Sequence, residues 1–268
     1  MKMSVATFGM RLAPALGVAA CLMLGAATAQ PVGTRDTVPT PQLLVEKMLD
    51  LAGVSASDTV VDLGSGDGRT VIAAAKRGAT ARGIEYDPAM VEFSRRNVDA
   101  AGVTDKARID QADVFDSDFS KADVVTIFLL PDLYDRLRPI LLGMKPGTRL
   151  VSNTFGMGGW QPDRTTTVPE ECDLFFCKAL LWIVPARVEG QWALDAGELS
   201  GDLTIEQKFQ NVTGTLQSGA TIVPIHGRLK GNEIVFVAGG IEYIGQVGGA
   251  TIQGVTKAGD KWSARRGG

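Results

Sequence analysis

Apolar residues between positions 42 and 155 follow two alternating patterns. Helical spacing predicts helices over 42–53, 69–78, 87–102 and 132–144. Short apolar runs predict strands over 59–63, 81–86, 106–114, 122–130 and 148–155. The run ADVVTIFLL at 122–130 is apolar almost throughout, which is typical of a central strand covered on both faces. The alternation predicts a parallel sheet with helices on both faces.

The pattern changes near Glu189, after which no helical spacing remains. Fifteen of the 32 glycines fall in the last 72 residues, and pairs such as Gly231-Asn232 and Gly248-Gly249 signal turns. The runs between the turns predict strands over 202–209, 221–229, 233–239, 242–247 and 261–266. We therefore expect an α/β domain over 30–186 and a β-rich domain over 187–268, folded as an antiparallel meander or small partial barrel.

The N-terminal segment does not fit a globular domain. Lys2 and Arg11 precede an uncharged stretch that contains Ala27-Thr28-Ala29, a small-x-small pattern of the kind that signal peptidases cut. We interpret 1–29 as an export signal removed after Ala29, which predicts a periplasmic protein.

Two alternatives remain for this segment. The uncharged residues 12–34 approach the ~20 residues of a membrane-spanning helix, although Pro14, Gly17 and Gly25 weaken such a helix. Val18-Ala19-Ala20-Cys21 also resembles a lipoprotein signal. An uncleaved segment would anchor the protein to the inner membrane and would be its one membrane contact. A protein that does not use it would be cytoplasmic.

Composition and charge exclude some classes of function. The chain is 45% hydrophobic and 21% charged, as in ordinary globular proteins, and its net charge of −3 gives no electrostatic reason to expect nucleic acid. Cys172 and Cys177 would remain after signal removal. On one strand, residues five apart point to opposite faces, so we expect both to be buried and reduced. The one histidine, His226, lies in the β-rich part, and no Cys/His spacing indicates a metal site.

Three closely spaced glycines follow the first strand, in VVDLGSGDGR at 60–69. A glycine turn between a strand and a helix lets the backbone approach a ligand at the helix N-terminus. Gly64, Gly66 and Gly68 are followed by Arg69, where a dinucleotide site requires another glycine or alanine. No Gly-Lys-Ser/Thr follows either, so the turn is not a phosphate-binding P-loop.

Carboxylates accompany this turn and the ends of the next two strands. Asp62 and Asp67 would repel a pyrophosphate, by about 1 kcal/mol for each close pair even in water, but would suit a cationic ligand. Glu85 lies 21 residues after Gly64, where an acidic side chain accepts hydrogen bonds from ribose hydroxyls. Asp113 ends the third strand and could accept a hydrogen bond from the amino group of an adenine. The glycine turn contains carboxylates and no lysine, which favours S-adenosylmethionine, a cationic ligand, over a ligand that carries phosphates.

The ordered motifs VVDLGSGDGR, GIEYDP, QADVF, DVVTIFLLP and KPG resemble those of the class I methyltransferases over about 58–152. The segments VPTP at 38–41, VEFSRRNVDAAG and SNTFGMGGW also resemble the lysine methyltransferases that act on the ATP synthase c-subunit and the adenine nucleotide translocase, and their bacterial relatives. The resemblance implies a Rossmann-like doubly wound sheet. Relatives often carry an acidic residue where this chain has Gly156 or Gly159, which leaves the acceptor open.

The residues and the resemblance together place S-adenosylmethionine at eleven positions. These are Thr40, Asp62, Gly64, Ser65, Gly66, Asp67, Gly68, Glu85, Tyr86, Asp113 and Val114. The resemblance further implies that Val38, Pro39 and Thr40 fold over the cofactor and that Leu130-Pro131 border the acceptor channel.

The methyl acceptor is expected to be a protein lysine or a small molecule. Beside Pro131, which the resemblance implies, Asp132, Tyr134 and Asn153 lie at the right sheet edge to line its channel, although Asp132 is also explained as a helix N-cap. The leading hypothesis is an S-adenosylmethionine-dependent methyltransferase that acts by in-line transfer, needing proximity and desolvation rather than a covalent nucleophile or metal. The alternative is an exported non-catalytic protein whose methyltransferase-like fold binds a nucleoside.

Overall fold

The computed structural model describes residues 38–168 and 176–267, which belong to one compact unit, and the predicted export signal lies outside them. The helices are α1 Gln42–Ala52, α2 Arg69–Lys76, α3 Pro88–Ala100 and α4 Pro131–Leu142. The first strands are β1 Thr59–Leu63, β2 Thr80–Glu85, β3 Ala107–Gln111, β4 Val124–Ile127, β5 Arg149–Asn153, β6 Arg164–Thr167 and β7 Lys178–Ile183. The later strands are β8 Gly190–Asp195, β9 Gly201–Lys208, β10 Asn211–Ser218, β11 Thr221–Lys230, β12 Glu233–Ala238, β13 Ile241–Gly248, β14 Thr251–Thr256 and β15 Lys261–Arg266.

The first seven strands form one sheet in the order β3-β2-β1-β4-β5-β7-β6. The predicted helices and strands up to β5 are confirmed, and β4 is central and fully buried. The predicted parallel pairing holds for β1 to β5, whereas β7, which was not predicted, pairs antiparallel with both β5 and β6. The ten residues between Thr167 and Lys178 are fewer than the dozen or more that a parallel crossover requires.

Alternate residues of the central strands serve two separate cores. Val60 and Val124 pack with α1, α2 and α3 on one face of the sheet. Their neighbours Val61 and Val125 pack with α4 and Trp182 on the other. A strand points successive side chains to opposite faces, so apolar residues at both positions bury both sides of the sheet. The helices are therefore divided between the faces, as predicted.

The last eight strands form a closed barrel in which each strand is antiparallel to its neighbours in sequence and β15 pairs with β8. The antiparallel β-rich prediction is confirmed, and the partial barrel proves to be closed. Three of these eight strands, β8, β10 and β14, were not predicted, and neither were β6 and β7 of the sheet. Gly214 within β10 and Gly254 within β14 interrupt the apolar alternation on which strand prediction depends.

Glycines within the barrel strands allow backbones to approach closely. A Cβ atom on Gly214 would lie 1.9 Å from the carbonyl oxygen of Thr204, and one on Gly254 would lie 1.9 Å from that of Ile244. Only glycine fits such contacts, which permit the bending that closes a small barrel. The interior is filled by side chains, including stacked Phe236 and Tyr243 with ring centroids 4.8 Å apart.

The barrel packs directly against the end of the sheet region. Phe209 stacks on Trp160 with ring centroids 6.0 Å apart. Gln210 Nε2 donates to the carbonyl of Gln161 at 2.7 Å, and Arg228 pairs with Asp163 at 2.7 Å. An aromatic contact, a hydrogen bond and an ion pair therefore join the two parts.

The prediction of buried, reduced cysteines is wrong for Cys177, which is half-buried and disulfide-bonded. The premise of a shared strand fails, because β7 begins only at Lys178. Cys172 lies outside the described residues. In the part of the chain that the structure describes, no helix has the length and apolar character to cross a bilayer.

Candidate active site

The glycine turn joins the buried end of β1 to the start of α2. Gly64, Gly66 and Gly68 have φ of +73°, +51° and +81°, a left-handed conformation that favours glycine. A Cβ atom on Gly64 would lie 2.4 Å from Cδ2 of Leu129, whereas one on Gly66 would meet nothing within 4 Å. The turn is therefore tightly packed beneath Gly64 and open above Gly66, where a ligand can approach the backbone.

The amide groups of the turn are almost all engaged within the protein. Gly64 and Ser65 both donate to the carbonyl of Ile84, at 2.9 and 3.0 Å. Gly68 donates to the carbonyl of Ser65, and Arg69 donates to Asp67 Oδ1. A phosphate site needs several free amides converging on the anion. This turn does not offer them.

Glu85 ends β2 beside the turn, and the backbone fixes its carboxylate. Gly66 N donates to Oε2 at 2.8 Å and Asp87 N donates to Oε1 at 3.0 Å. Each carboxylate oxygen has a further lone pair available for a ligand hydroxyl. Tyr86 follows with 75% of its surface exposed, which leaves its ring free to cover a ligand base.

Asp62 lies beneath the turn, fully enclosed. Burial raises the pKa of its carboxyl to about 7, although hydrogen bonds from Thr126 and Thr70 oppose the shift, and the nearby charges of Asp67 and Glu85 reinforce it. Thr126 Oγ1 donates to Asp62 Oδ1 at 2.6 Å. The group is therefore poised to lose its proton when a cation binds nearby.

Asp67 is neutralised by Arg69 in a way that the sequence did not indicate. Arg69 Nη2 lies 2.5 Å from Asp67 Oδ2, and Nε contacts both carboxylate oxygens at 3.0 Å. Arg69 Nη1 donates to the carbonyl of Thr40 at 2.8 Å. Asp67 therefore helps hold the segment before α1 against the turn, with Arg69 as the link.

Ser65 and Asp113 occupy different environments. The Ser65 side chain is buried against Gly83. A Cβ atom on Gly83 would lie 2.5 Å from Ser65 Oγ, so Ser65 packs between the turn and β2. Asp113 is half-buried beyond β3, and its Oδ1 accepts from Phe115 N at 2.9 Å. Val114 is half-buried beside it. The guanidinium of Arg136 lies over the Phe115 ring, with Cζ 3.6 Å from the ring centroid. The Asp113 loop thus follows β3 at the same sheet edge as Glu85.

The predicted acceptor residues separate into rim and interior. Pro131 and Asp132 are exposed at the start of α4. The N-cap interpretation of Asp132 is wrong, because Leu130 is the N-cap and Pro131 the first helical residue. Tyr134 is buried, its hydroxyl 2.8 Å from Ser152 Oγ, and burial raises its pKa to about 12.

Asn153 lies fully buried at the end of β5. Its Nδ2 donates to Thr40 Oγ1 at 3.2 Å, whereas its Oδ1 has no hydrogen-bond partner among the described residues. Thr154 follows with φ +60°, and Phe155 N donates back to the Asn153 carbonyl at 2.6 Å. Such a conformation costs a β-branched residue roughly 1–3 kcal/mol and is concentrated at functional sites.

Three half-buried phenylalanines form an aromatic wall at the same edge, defined here as Phe128, Phe155 and Phe176. Phe128 follows β4, Phe155 follows β5 and Phe176 precedes the antiparallel β7. Their ring centroids lie 5.5 to 6.1 Å apart. The wall offers an apolar surface next to Asn153.

Several of these residues were missed by sequence reasoning. Arg69 counted only against a dinucleotide site, and Thr126, Ser152 and the aromatic wall carried no signal of their own. Thr126 and Phe128 lie at the end of β4, and Ser152 and Phe155 at the end of β5, so the central position of these strands could have suggested them. Phe176 precedes β7, which was not predicted.

The residues present fit S-adenosylmethionine better than a dinucleotide. The turn leaves open space above Gly66 and few free amides, Glu85 presents oriented oxygens, and Asp62 can take up negative charge when a cation binds. A sulfonium and a ribose match these groups, and a diphosphate does not.

Comparison with known proteins agrees with this geometry. Residues 62–164 match the ANTKMT methyltransferase domain. A protein-lysine N-methyltransferase of Saccharolobus islandicus is 42% identical over 136 residues, which cover 50% of this chain and 84% of the relative. The mouse lysine N-methyltransferase of the ATP synthase c-subunit is 40% identical over 108 residues, 40% of this chain, but these cover only 44% of the relative.

Among solved structures, an RNA methyltransferase from Salinibacter ruber in complex with S-adenosyl-L-homocysteine is 46% identical, with a TM-score of 0.52, and the match covers 56% of this chain and 96% of that one. Fold and site thus define a class I methyltransferase, an enzyme that uses S-adenosylmethionine as methyl donor. The chain belongs to the same family as the Saccharolobus islandicus protein-lysine N-methyltransferase. The domain match ends at residue 164, before the barrel begins at Gly190.

Proposed function

We propose that this protein methylates the side-chain amine of lysine in a protein acceptor. The 42% identity to a protein-lysine N-methyltransferase, over 84% of that relative, carries the proposal. The charge around the site supports it, because the loop after β3 presents Asp116 and the start of α4 presents Asp132 and Asp135, all three exposed, with Asp135 paired to Arg138. Such a rim attracts a cationic segment and repels a polyanion.

The bound donor supplies an electrophilic methyl group on a positively charged sulfur. The residues of this chain then contribute position and desolvation. The Gly64–Gly68 turn and Glu85 would hold the donor, and the aromatic wall would exclude water from the acceptor side. Lysine must lose a proton from a pKa near ~10.4 before its nitrogen can attack, and an apolar channel favours the neutral amine.

RNA methylation is the second candidate, because the Salinibacter ruber protein is described as an RNA methyltransferase and is 46% identical. The net charge of −3 and the acidic rim oppose it, since binding to RNA depends on cationic contacts with phosphates. Leu130 on the rim is 73% exposed, which suits contact with a protein surface.

The decisive experiment incubates the purified protein with methyl-labelled S-adenosylmethionine and two fractions of a lysate, protein and RNA, from cells that lack it. We expect label in the protein fraction and methyl-lysine in its peptides by mass spectrometry. A Gly64→Val variant is the matched control, because it removes the donor site. Label found in RNA alone would replace the lysine proposal with the RNA one, and label in neither fraction would leave a small-molecule acceptor.

We also propose that 1–29 directs export and is cleaved after Ala29. The support is the sequence pattern together with the disulfide at Cys177, since disulfides persist in oxidising compartments. N-terminal sequencing of the protein from fractionated cells should begin at Gln30 in the periplasm. An intact N-terminus in the membrane fraction would indicate the anchor, and a modified Cys21 would indicate a lipoprotein.

A further inference from the structure

Four buried side-chain atoms have no hydrogen-bond partner among the described residues: Ser65 Oγ, Asn153 Oδ1, Trp160 Nε1 and Gln210 Oε1. Of these residues, Asn153 ends β5 beside the aromatic wall. Its side chain is fully buried, one end is bonded to Thr40, and the other end, Oδ1, has no partner within the described part of the chain. A buried acceptor without a partner is costly, and native proteins rarely keep one unless a ligand or water completes it. This oxygen therefore points to a hydrogen-bond donor that arrives with the substrate.

The contacts of the other end of the amide are local. Thr40 Oγ1 accepts from Nδ2, which leaves Oδ1 as the end without a partner among the described residues. The carbonyl of Thr40 is held in turn by Arg69, which is paired with Asp67 in the cofactor turn. The position of Asn153 Oδ1 is thus tied to the turn that carries the methyl donor, through a continuous chain of polar contacts.

The backbone beside Asn153 is strained in a way that serves this position. Thr154 adopts φ +60°, and the Asn153 carbonyl accepts from Phe155 N at 2.6 Å. This tight turn ends β5 at once and brings Phe155 into the aromatic wall. The result is an isolated hydrogen-bond acceptor next to an apolar surface, at the predicted acceptor side of the sheet.

We propose that Asn153 Oδ1 accepts a hydrogen bond from an N–H of the acceptor amine, and that Asn153 is a catalytic residue. A neutral amine has two N–H donors and one lone pair. Fixing one N–H on Oδ1, within the apolar surface of Phe128 and Phe155, limits the directions that the lone pair can take. Thr40 is then a positioning residue, because it acts through the Asn153 amide. The inference rests on the proposed lysine acceptor.

The test compares four full-length proteins, the wild type, N153L, N153D and T40V. Each is assayed for S-adenosylmethionine affinity by calorimetry and for methyl transfer to the protein fraction of the same lysate. N153L removes the oxygen at similar volume, and we expect transfer to fall about 100-fold with donor affinity within about threefold. N153D keeps an oxygen acceptor and should retain more activity than N153L. T40V keeps Oδ1 but frees the amide, so we expect an intermediate loss, about tenfold.

A second readout does not depend on turnover. Protein loaded with S-adenosyl-L-homocysteine is titrated with n-butylamine, and the wild type should bind at least about tenfold more tightly than N153L. If N153L does not fold, N153S, which shortens the side chain and withdraws the oxygen, replaces it in both assays. Equal transfer and equal amine binding in wild type and variant would overturn the inference, as would a matching loss of donor affinity. Absence of lysine methylation by the wild type would instead overturn the proposed function, and this inference with it.

Discussion

The two halves of the molecule bury different kinds of residue. Among the described residues, ten polar or charged side chains are buried in the sheet half, and two, Gln210 and Thr256, in the barrel. Those around the donor turn and the end of β5 include Thr40, Asp62, Ser65, Thr126, Ser152 and Asn153. The barrel interior is apolar and aromatic. Buried polar groups are costly, so their concentration marks the half that carries the chemistry.

Glycine also serves different purposes in the two halves. In the donor turn, Gly64 combines a left-handed conformation with close packing on Leu129, beside space for a ligand. In the barrel, Gly254 lies within β14 and lets this strand approach its neighbour β13 closely. Loss of the first should damage binding and loss of the second should damage folding. The predictions below test this division.

The largest effect is expected from Gly64→Val. The new side chain would begin 2.4 Å from Leu129 Cδ2 at φ +73°, so the turn must move and donor binding should fall by more than about 100-fold. Calorimetry with S-adenosylmethionine measures this. Gly219→Val in a barrel hairpin is the matched control, because φ is +58° there but no atom lies within 4 Å. Donor affinity lost equally in both variants would contradict the division.

Gly254→Val should affect the barrel instead. A Cβ atom there would lie 1.9 Å from the Ile244 carbonyl oxygen, so β13 and β14 must separate, at a cost of about 4 kcal/mol or more. Thermal unfolding followed by near-ultraviolet circular dichroism of the barrel tryptophans measures the loss. Val255→Ala, at an exposed neighbouring position, should change little. If the variant also loses donor affinity at a temperature where it stays folded, the two halves are coupled more strongly than their residues indicate.

Donor affinity should increase with pH because of Asp62. Its pKa is raised to about 7 by burial, so at pH 6 the carboxyl is mostly protonated and a cationic donor must displace the proton. Between pH 6 and pH 8 we expect affinity to rise about tenfold in the wild type and less in D62N. Calorimetry at several pH values gives the slope, and D62N corrects for ionisation of the donor itself. Equal slopes would remove Asp62 from donor binding.

The same group has a consequence for stability, with a definite sign. The folded pKa lies above the unfolded value of ~3.9, so the folded state holds a proton that the unfolded state loses. The contribution of Asp62 to stability therefore declines as pH rises from about 4 to about 7 and is constant above that. D62N should lack this decline, as measured by denaturant unfolding at pH 5 and pH 8.

The smallest effect is expected at the junction of the halves. Arg228 pairs with Asp163, whose carboxylate also accepts from Ile183 N at 2.8 Å. Arg228→Met leaves that second bond in place, and Arg228 is half-exposed, so we expect a loss of about 1 kcal/mol in the free energy of unfolding and unchanged donor affinity. Lys230→Met on the same strand, where no such ion pair forms among the described residues, serves as the control.

Most of the sheet half could be predicted, because its strands are continuous apolar runs bounded by glycine and charged residues. Asp62 and Glu85 were placed by counting from the glycines, and the structure puts both beside the turn. Arg69 was not foreseen as a tether to Thr40, because its partner is a backbone carbonyl 29 residues away. Long-range contacts of this kind leave no trace in local spacing.

The barrel was only half-predicted, for a physical reason. A strand in a closed barrel needs glycine where the neighbouring strand approaches closely. In the sequence, the same glycine is a turn signal, so the strand around it is not predicted. β10 and β14 were lost in this way. The disulfide at Cys177 was missed because Cys172 and Cys177 were expected on one strand, whereas β7 begins only at Lys178.

The pairing of β15 with β8 has a consequence for engineering. The first and last strands of the barrel, β8 and β15, are therefore neighbours. Arg266, at the end of β15, donates to the carbonyls of Arg187 and Glu189, which precede β8. A cut ahead of Ala186 would keep these contacts and the core residues Ala186 and Val188 with the barrel, so this is the segment to graft onto another scaffold or to permute circularly at a hairpin.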